Sequence, residues 1–432
     1  MVSRMMITGN TAAAWGARLA EVDYVPAFPI TPQTEIIETL AEWMGSGELA
    51  GRFVTMDSEH SMMTAAGAAA TAGVRVFTAT SSQGLLYAIE TMYMASGWRV
   101  PFVLVNVSRG IGTPLTLGPD HNDVLAARDT GFIQIHAETC QEVLDSVLMA
   151  YRIAEDPRVQ LPVLVNLDGF FLSFTREPVE VPDLAMVRRF LPLYQPKHPA
   201  FRASQPVAQG VAVLDASVYS YFRYQMHEAC RSAISVHAEA SAEFHDLFGR
   251  RYDAVECYGM DDAEFALVMA GSFATKGKAA VSRWRDEGRR VGLVRLRLVR
   301  PRPTAALLSV LAGRKAVAVI DQNISPGLGG ILFHELAGAL VNCPERPRLH
   351  SFIGGLGGKD ICQAEFDYIL SMLESPRTET SPEPVLLFTE DEWQLTRARL
   401  KAAGKDPAPE QAAGNLHGVP SAAAFEAEES AR

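Results

Sequence analysis

Ala27-Phe28-Pro29-Ile30-Thr31-Pro32-Gln33-Thr34 is the first of three polar segments, followed by Asp57-Ser58-Glu59-His60 and Thr78-Ala79-Thr80-Ser81-Ser82-Gln83-Gly84. Each lies where an apolar, β-rich run gives way to a helical pattern. In an open α/β sheet those junctions are strand ends, where ligands bind. Three of them so close together in the chain point to one shared cleft.

The same alternation extends outward from these segments. Over residues 8–178, strands are expected at Tyr24–Phe28, Phe53–Met56, Val74–Thr78, Phe102–Val107, Ile133–His136 and Val163–Leu167. Helices are expected at Thr11–Ala20, Pro32–Trp43, Ser61–Ala72, Leu85–Ser96 and Cys140–Ala154. That pattern predicts a mostly parallel sheet with helices on both faces, a doubly wound α/β domain. Ser61–Ala72 is nearly all small residues, which predicts close packing, with a subunit contact as one option. Residues 179–257 read as a connector, with Pro182, Pro192, Pro196, Pro199 and Pro206 breaking its first half before a helical run at Val218–Phe248.

A second, smaller α/β domain is expected over residues 258–375. Its strands are Ala266–Gly271, Val291–Leu298, Ala316–Asp321 and Arg348–Ile353, and its helices Lys276–Glu287, Thr304–Leu311 and Ile331–Val341. Residues 376–432 form an extension with one more strand–helix piece. From Gly404 onward it is too poor in large apolar residues to order itself, so a mobile tail or a partner-binding arm is expected.

At 432 residues the chain is too long for one core, and 48% hydrophobic with 21% charged residues is an ordinary globular composition. A net charge of −11 argues against nucleic-acid or anionic-membrane surfaces. No apolar run approaches membrane-spanning length, and the start before Gly9 is too short for a secretory signal, so a cytoplasmic enzyme is expected. The five cysteines lie far apart without a Cys-x-x-Cys pair, so neither a metal site nor an iron–sulfur cluster is expected on this chain.

Read from spacing alone, Glu59 is an acid in the first turn of a helix capped by Asp57 or Ser58. Thr31 before Pro32 reads as an N-cap, and Arg109 as an arginine at the end of an apolar strand. Asp120-His121-Asn122-Asp123 and Arg128-Asp129-Thr130-Gly131 read as turn and capping chemistry. Gly327-Leu328-Gly329-Gly330 and Gly354-Gly355-Leu356-Gly357-Gly358-Lys359 could cradle phosphate or simply make tight turns.

In order and spacing these segments resemble the α subunit of the 2-oxoacid:acceptor (ferredoxin) oxidoreductase family, which includes pyruvate:ferredoxin oxidoreductase and phenylglyoxylate dehydrogenase. The resemblance runs from about Gly9 to Asp360. It implies a pyrimidine-type thiamine-diphosphate-binding domain followed by a domain like the transketolase C-terminal one. It also implies that Glu59 hydrogen-bonds the aminopyrimidine and promotes the imino form that removes the thiazolium C2 proton. Thr31 and Arg109 would contact the substrate carboxylate, and Ser82, Gln83, Gly84, Asp120 and His121 would lie against the cofactor.

The chain departs from the family in two places. Phe28 replaces the usual tyrosine, and Gly112–Gly118 replaces the bulky aromatics of pyruvate-type relatives, which implies a wider pocket for phenylglyoxylate or another bulky 2-oxoacid. Pyruvate is the alternative substrate, and a non-redox thiamine-dependent transferase subunit the alternative class. No Gly-Asp-Gly occurs anywhere in the chain, so the diphosphate and Mg2+ are expected on a β subunit. Iron–sulfur clusters are expected on γ and ferredoxin-like δ subunits, with a flavin/NAD subunit possible, and coenzyme A as co-substrate.

Overall fold

The computed structural model describes residues 3–197, 201–375 and 383–405. Pro199 of the expected connector and the expected tail beyond residue 405 lie outside the described residues. The chain divides into two units, Met1–Glu256 with Leu296–Pro303, and Cys257–Arg295 with Thr304–Arg432.

The first unit begins β1 (Ser3–Thr8), α1 (Gly9–Leu19), β2 (Tyr24–Ala27), α2 (Thr34–Ser46), β3 (Arg52–Thr55), α3 (Glu59–Thr71) and β4 (Phe77–Thr80). It continues with α4 (Ser82–Tyr87), α5 (Ile89–Trp98), β5 (Val103–Ser108), α6 (Asn122–Ala126), β6 (Ile133–His136), α7 (Cys140–Ala154) and β7 (Val163–Asp168). β8 (Arg176–Val181), α8 (Leu184–Phe190) and the long α9 (Ala216–Phe248) follow. β4, β5, β7 and β6 run parallel, while β2 and β3 form a separate parallel pair and β1 pairs antiparallel with β8.

Every residue of β5 and β7 is buried, as their nearly unbroken apolar runs require of central parallel strands covered on both faces. The small-residue helix α3 packs within this unit. A β-carbon at Gly67 would come within 2.9 Å of the Trp98 ring, so glycine there lets α3 close on α5.

In the second unit the elements are β9 (Val255–Tyr258), β10 (Phe265–Ala270), α10 (Ala274–Asp286) and β11 (Val291–Leu296), then, after β12 (Leu298–Arg300) of the first unit, α11 (Thr304–Leu311) and β13 (Ala316–Asp321). Then come α12 (Ile331–Leu340), β14 (Arg348–Ile353), α13 (Gln363–Glu374), β15 (Val385–Leu386) and α14 (Glu390–Ala402). The sheet order is β15-β14-β13-β10-β11-β9, and β10, β13, β14 and β15 are parallel.

Three expectations are corrected. The strand expected at Val291–Leu298 ends at Leu296, and β12 pairs antiparallel with β6 in the first unit's sheet. The second domain, expected over 258–375 without interruption, is thus interrupted by Leu296–Pro303. The helix expected at Leu85–Ser96 is two helices that meet at Ala88.

Candidate active site

Glu59 opens α3 because Ser58 is extended and its hydroxyl accepts the Ser61 N–H at 3.2 Å, which settles the choice of cap between Asp57 and Ser58. The glutamate is only 7% exposed. At Gly84, in the first turn of α4, an added β-carbon would lie 2.5 Å from Glu59 Oε1 and 2.6 Å from Thr80 Oγ1. Glycine at that point is therefore what lets the carboxylate lie against the α4 backbone. The Thr80 hydroxyl beside it is buried without a hydrogen-bond partner among the described residues. Two of the three junctions are thus in contact.

Arg109 follows β5 and is 6% exposed. Its Nη1 donates to the Thr116 carbonyl at 3.2 Å, while Nε is buried without a partner among the described residues. Burial pulls its pKa down, against the opposing pull of the Asp123 charge. A buried cation with an unspent donor has the chemistry to take an anion, and a planar guanidinium fork suits a carboxylate.

Thr31 is not the N-cap that the sequence predicted. The helix α2 begins three residues later at Thr34 with Gln33 as N-cap and no side-chain capping bond. Gln33 N donates to the Ile30 carbonyl at 3.0 Å, Gln33 Nε2 to the Phe28 carbonyl at 2.9 Å, and Asn10 Nδ2 to the Pro32 carbonyl at 2.8 Å. Those bonds fix the segment as a turn and leave Thr31 exposed. A β-carbon at Gly169 would lie 3.0 Å from Pro32 Cγ and 2.7 Å from the Ser108 carbonyl, so the Thr31–Pro32 turn sits beside the end of β5 that carries Arg109.

Ser82 starts α4 with φ 47°, and its hydroxyl donates to Gln83 Oε1 at 2.7 Å and to the Gly110 carbonyl at 2.9 Å. Asp120 makes turn contacts: its Oδ1 accepts the Asn122 N–H at 3.0 Å, and its carbonyl lies 2.6 Å from the Ser108 hydroxyl, whose one proton it shares with the Asp123 carboxylate. His121 faces inward. Its Nε2 lies 2.8 Å from Asp168 Oδ1 and its ring meets His136 edge-on at 5.0 Å. Burial works to lower the His121 pKa, but the Asp168 charge and hydrogen bond, helped by Asp123 and Asp120, leave it raised.

Sequence reasoning did not single out Thr80, Asn106 or Asp168, and it read Asp123 as turn chemistry. The available signal was a polar residue inside or ending an otherwise apolar strand, as in Val103-Leu104-Val105-Asn106 and Val163-Leu164-Val165-Asn166-Leu167-Asp168.

The glycine-rich segments of the second unit serve turns. Ahead of α12, the Leu332 and Phe333 N–H groups donate to the two Asp321 carboxylate oxygens at 2.8 and 3.1 Å, and the Ile331 N–H donates to Asn323 Oδ1 at 3.2 Å. A β-carbon at Gly330 would collide with the Asp321 carboxylate. The chain's own side chains fill the position a phosphate would take.

Residues 15–242 match the family of pyruvate flavodoxin/ferredoxin oxidoreductases, thiamine-diphosphate-binding, and residues 263–366 match the pyruvate:ferredoxin oxidoreductase core domain II. The pyruvate synthase subunit PorA of Pyrococcus abyssi is 42% identical over 372 residues, which are 86% of this chain and 94% of that one. Ketoisovalerate oxidoreductase subunit VorA of Pyrococcus horikoshii is 41% identical over 358 residues, 83% of this chain and 90% of that one. A solved 2-oxoglutarate:ferredoxin oxidoreductase from Magnetococcus marinus shares the fold with a TM-score of 0.67 at 20% identity, over 86% of this chain and 65% of that one. The chain belongs to the 2-oxoacid:ferredoxin oxidoreductase family, as an α subunit.

Proposed function

We propose that this α subunit forms the aminopyrimidine and substrate-carboxylate side of an active centre that oxidatively decarboxylates a 2-oxoacid with a bulky apolar side chain, such as phenylglyoxylate. The products are the acyl-CoA and CO2, and the electrons pass to iron–sulfur clusters on other subunits. The observation that carries the reading is Glu59 held against Gly84 and Thr80, at the same sheet edge as Arg109. The residues fit the pyrimidine half of thiamine diphosphate. A buried carboxylate, an unpartnered hydroxyl and a glycine cradle together offer a polar ring an acceptor, a donor and close approach to backbone.

Thiamine diphosphate, when bound, supplies the carbon nucleophile and the electron sink that the decarboxylation needs. Glu59, nearly excluded from solvent, holds or releases a proton toward the pyrimidine ring. Arg109 and Thr31 hold the substrate carboxylate, and Gly84 keeps Glu59 in place. The diphosphate with Mg2+ is assigned to a β subunit, the clusters to γ and ferredoxin-like δ subunits, and the assembly to the cytoplasm.

Pyruvate is the second reading, favoured by the pyruvate synthase subunits among the relatives. The test is the purified native complex, which should reduce a low-potential acceptor only when coenzyme A, thiamine diphosphate and a 2-oxoacid are all present. The chain alone should bind thiamine diphosphate with Mg2+ weakly by calorimetry. Tight binding by the isolated chain would sink the shared-site assignment.

A further inference from the structure

The loop Asp120-His121-Asn122-Asp123 was read above as turn chemistry, yet one of its side chains joins the elements on which the proposed site depends. Asp123 is fully buried. Its Oδ2 accepts the Ser82 N–H at 3.0 Å, Asn106 Nδ2 at 3.1 Å and the Arg109 N–H at 3.4 Å. Its Oδ1 accepts the Ser108 hydroxyl at 2.5 Å and the Val124 N–H at 2.7 Å. A single carboxylate thus ties the start of α4 to the end of β5 and to the first backbone N–H beyond it. Burial pushes the Asp123 pKa up, with the Asp120 charge adding to it, while the Ser108, Asn106 and Val124 hydrogen bonds pull the other way.

We propose that Asp123 is a positioning residue that sets Arg109 for the substrate carboxylate by holding the Ser82 and Arg109 backbones in one frame. It touches no substrate and acts through the two segments it joins. Ser82 sits at φ 47°, a conformation that a serine adopts rarely, and the Asp123 bond to its N–H opposes relaxation of that residue. On the Arg109 side, the Asp123 bonds to the Ser108 hydroxyl and the Arg109 N–H fix the backbone from which the guanidinium projects. An asparagine has the same shape but replaces one acceptor oxygen by a donor. In either orientation its N–H groups then face other donors.

The proposal rests on Arg109 binding the substrate carboxylate, and a double-mutant cycle on the whole complex separates the two claims. Asp123→Asn should raise both KM and the equilibrium dissociation constant for the 2-oxoacid about tenfold. In an Arg109→Lys background the same change should add nothing, because the group through which it acts has already lost its geometry. A protein-wide structural role would instead lower the melting temperature and leave the two effects on KM independent.

If Arg109→Lys raises KM while Asp123→Asn leaves it unchanged, or if the two effects multiply, the positioning role is overturned and the site reading stands. If Arg109→Lys itself leaves KM and binding unchanged, the site reading fails and takes this proposal with it. Should the Asp123→Asn complex not assemble, Ser108→Ala removes one donor from Asp123 and retains its charge. Its effect on 2-oxoacid binding should likewise vanish in the Arg109→Lys background, and multiplicative effects there would overturn the proposal.

Discussion

Each unit places a carboxylate where parallel strands end and uses it to accept backbone N–H groups, but the surroundings differ. In the second unit Asp321 occupies the start of α12, Asn323 takes the N–H before the two that Asp321 accepts, and Gly330 exists to make room for the acid. The neighbouring Gln322 amide has no partner among the described residues, but the Gly355 backbone packs over it. In the first unit Asp123 accepts from five donors, yet beside that frame Arg109 Nε and the Thr80 hydroxyl remain without partners among the described residues, and Glu59 faces the glycine at the start of α4. Glycines and acids at strand ends are therefore no measure of a site. The hydrogen-bonding capacity left over after the fold has been satisfied is the better measure.

The difference is testable most sharply with paired substitutions. Glu59→Gln should lower kcat of the complex by about 10²–10⁴-fold, the range for loss of a positioned acid or base, and should suppress C2 proton exchange in bound cofactor. Asp321→Asn should leave kcat and KM unchanged and destabilise the second unit by about 1–3 kcal/mol, measured by denaturant unfolding of the chain. An Asp321→Asn complex as inactive as Glu59→Gln would erase the distinction between the two edges.

Much of the first unit was legible because its signals are local. The all-buried runs of β5 and β7 read directly as central parallel strands, and Ser58 next to Glu59 read as a helix start. Thr31 misled because Thr-Pro before an apolar-periodic run is a capping signal, while the bonds that delay the helix come from Asn10 and Gln33. Long-range placement was beyond reach. Asp123 meets Ser82 across 41 residues, and His121 meets Asp168 across 47, separations that no window of sequence spans. β12 was lost for the same reason, since its partner β6 lies far earlier in the chain.

A smaller effect is expected at Arg109. Replacing the fork by the point charge of lysine should cost roughly 1.5–3 kcal/mol of substrate binding, about ten- to a hundredfold in KM, with cofactor affinity nearly unchanged. Kinetics at saturating cofactor check it, and an unchanged KM would make Arg109 a structural cation like the paired ones elsewhere in the chain. Gly330→Ala provides the contrast. The new methyl group would press on Asp321, so a loss of about 1–3 kcal/mol of stability without any change in KM is expected from thermal unfolding and kinetics together.

The smallest expected effect concerns what lies around the open edge of the first unit. The segment that supplies the Thr116 carbonyl to Arg109 also carries Leu115 and Leu117, both exposed. After Asp168, the chain presents Phe170, Phe171 and Phe174, also exposed, and Gly169 binds this segment to the Thr31–Pro32 turn and to Ser108. Phe28, in the turn that precedes Thr31, is half-buried, so the large side chains these segments present are apolar. A phenyl or branched side chain buried against such walls gains roughly 1.5–3 kcal/mol, whereas a methyl group fills little of the space and forgoes those contacts. Phenylglyoxylate and 2-oxoisovalerate should therefore exceed pyruvate in kcat/KM by at least about tenfold, and 2-oxoglutarate, with a second carboxylate facing apolar walls, should be poorer than either. The comparison is made on the native complex at saturating coenzyme A. If pyruvate leads by the same margin, the space left by Gly112–Gly118 is closed by a partner subunit, and the open edge of this chain sets the chemistry without setting the substrate.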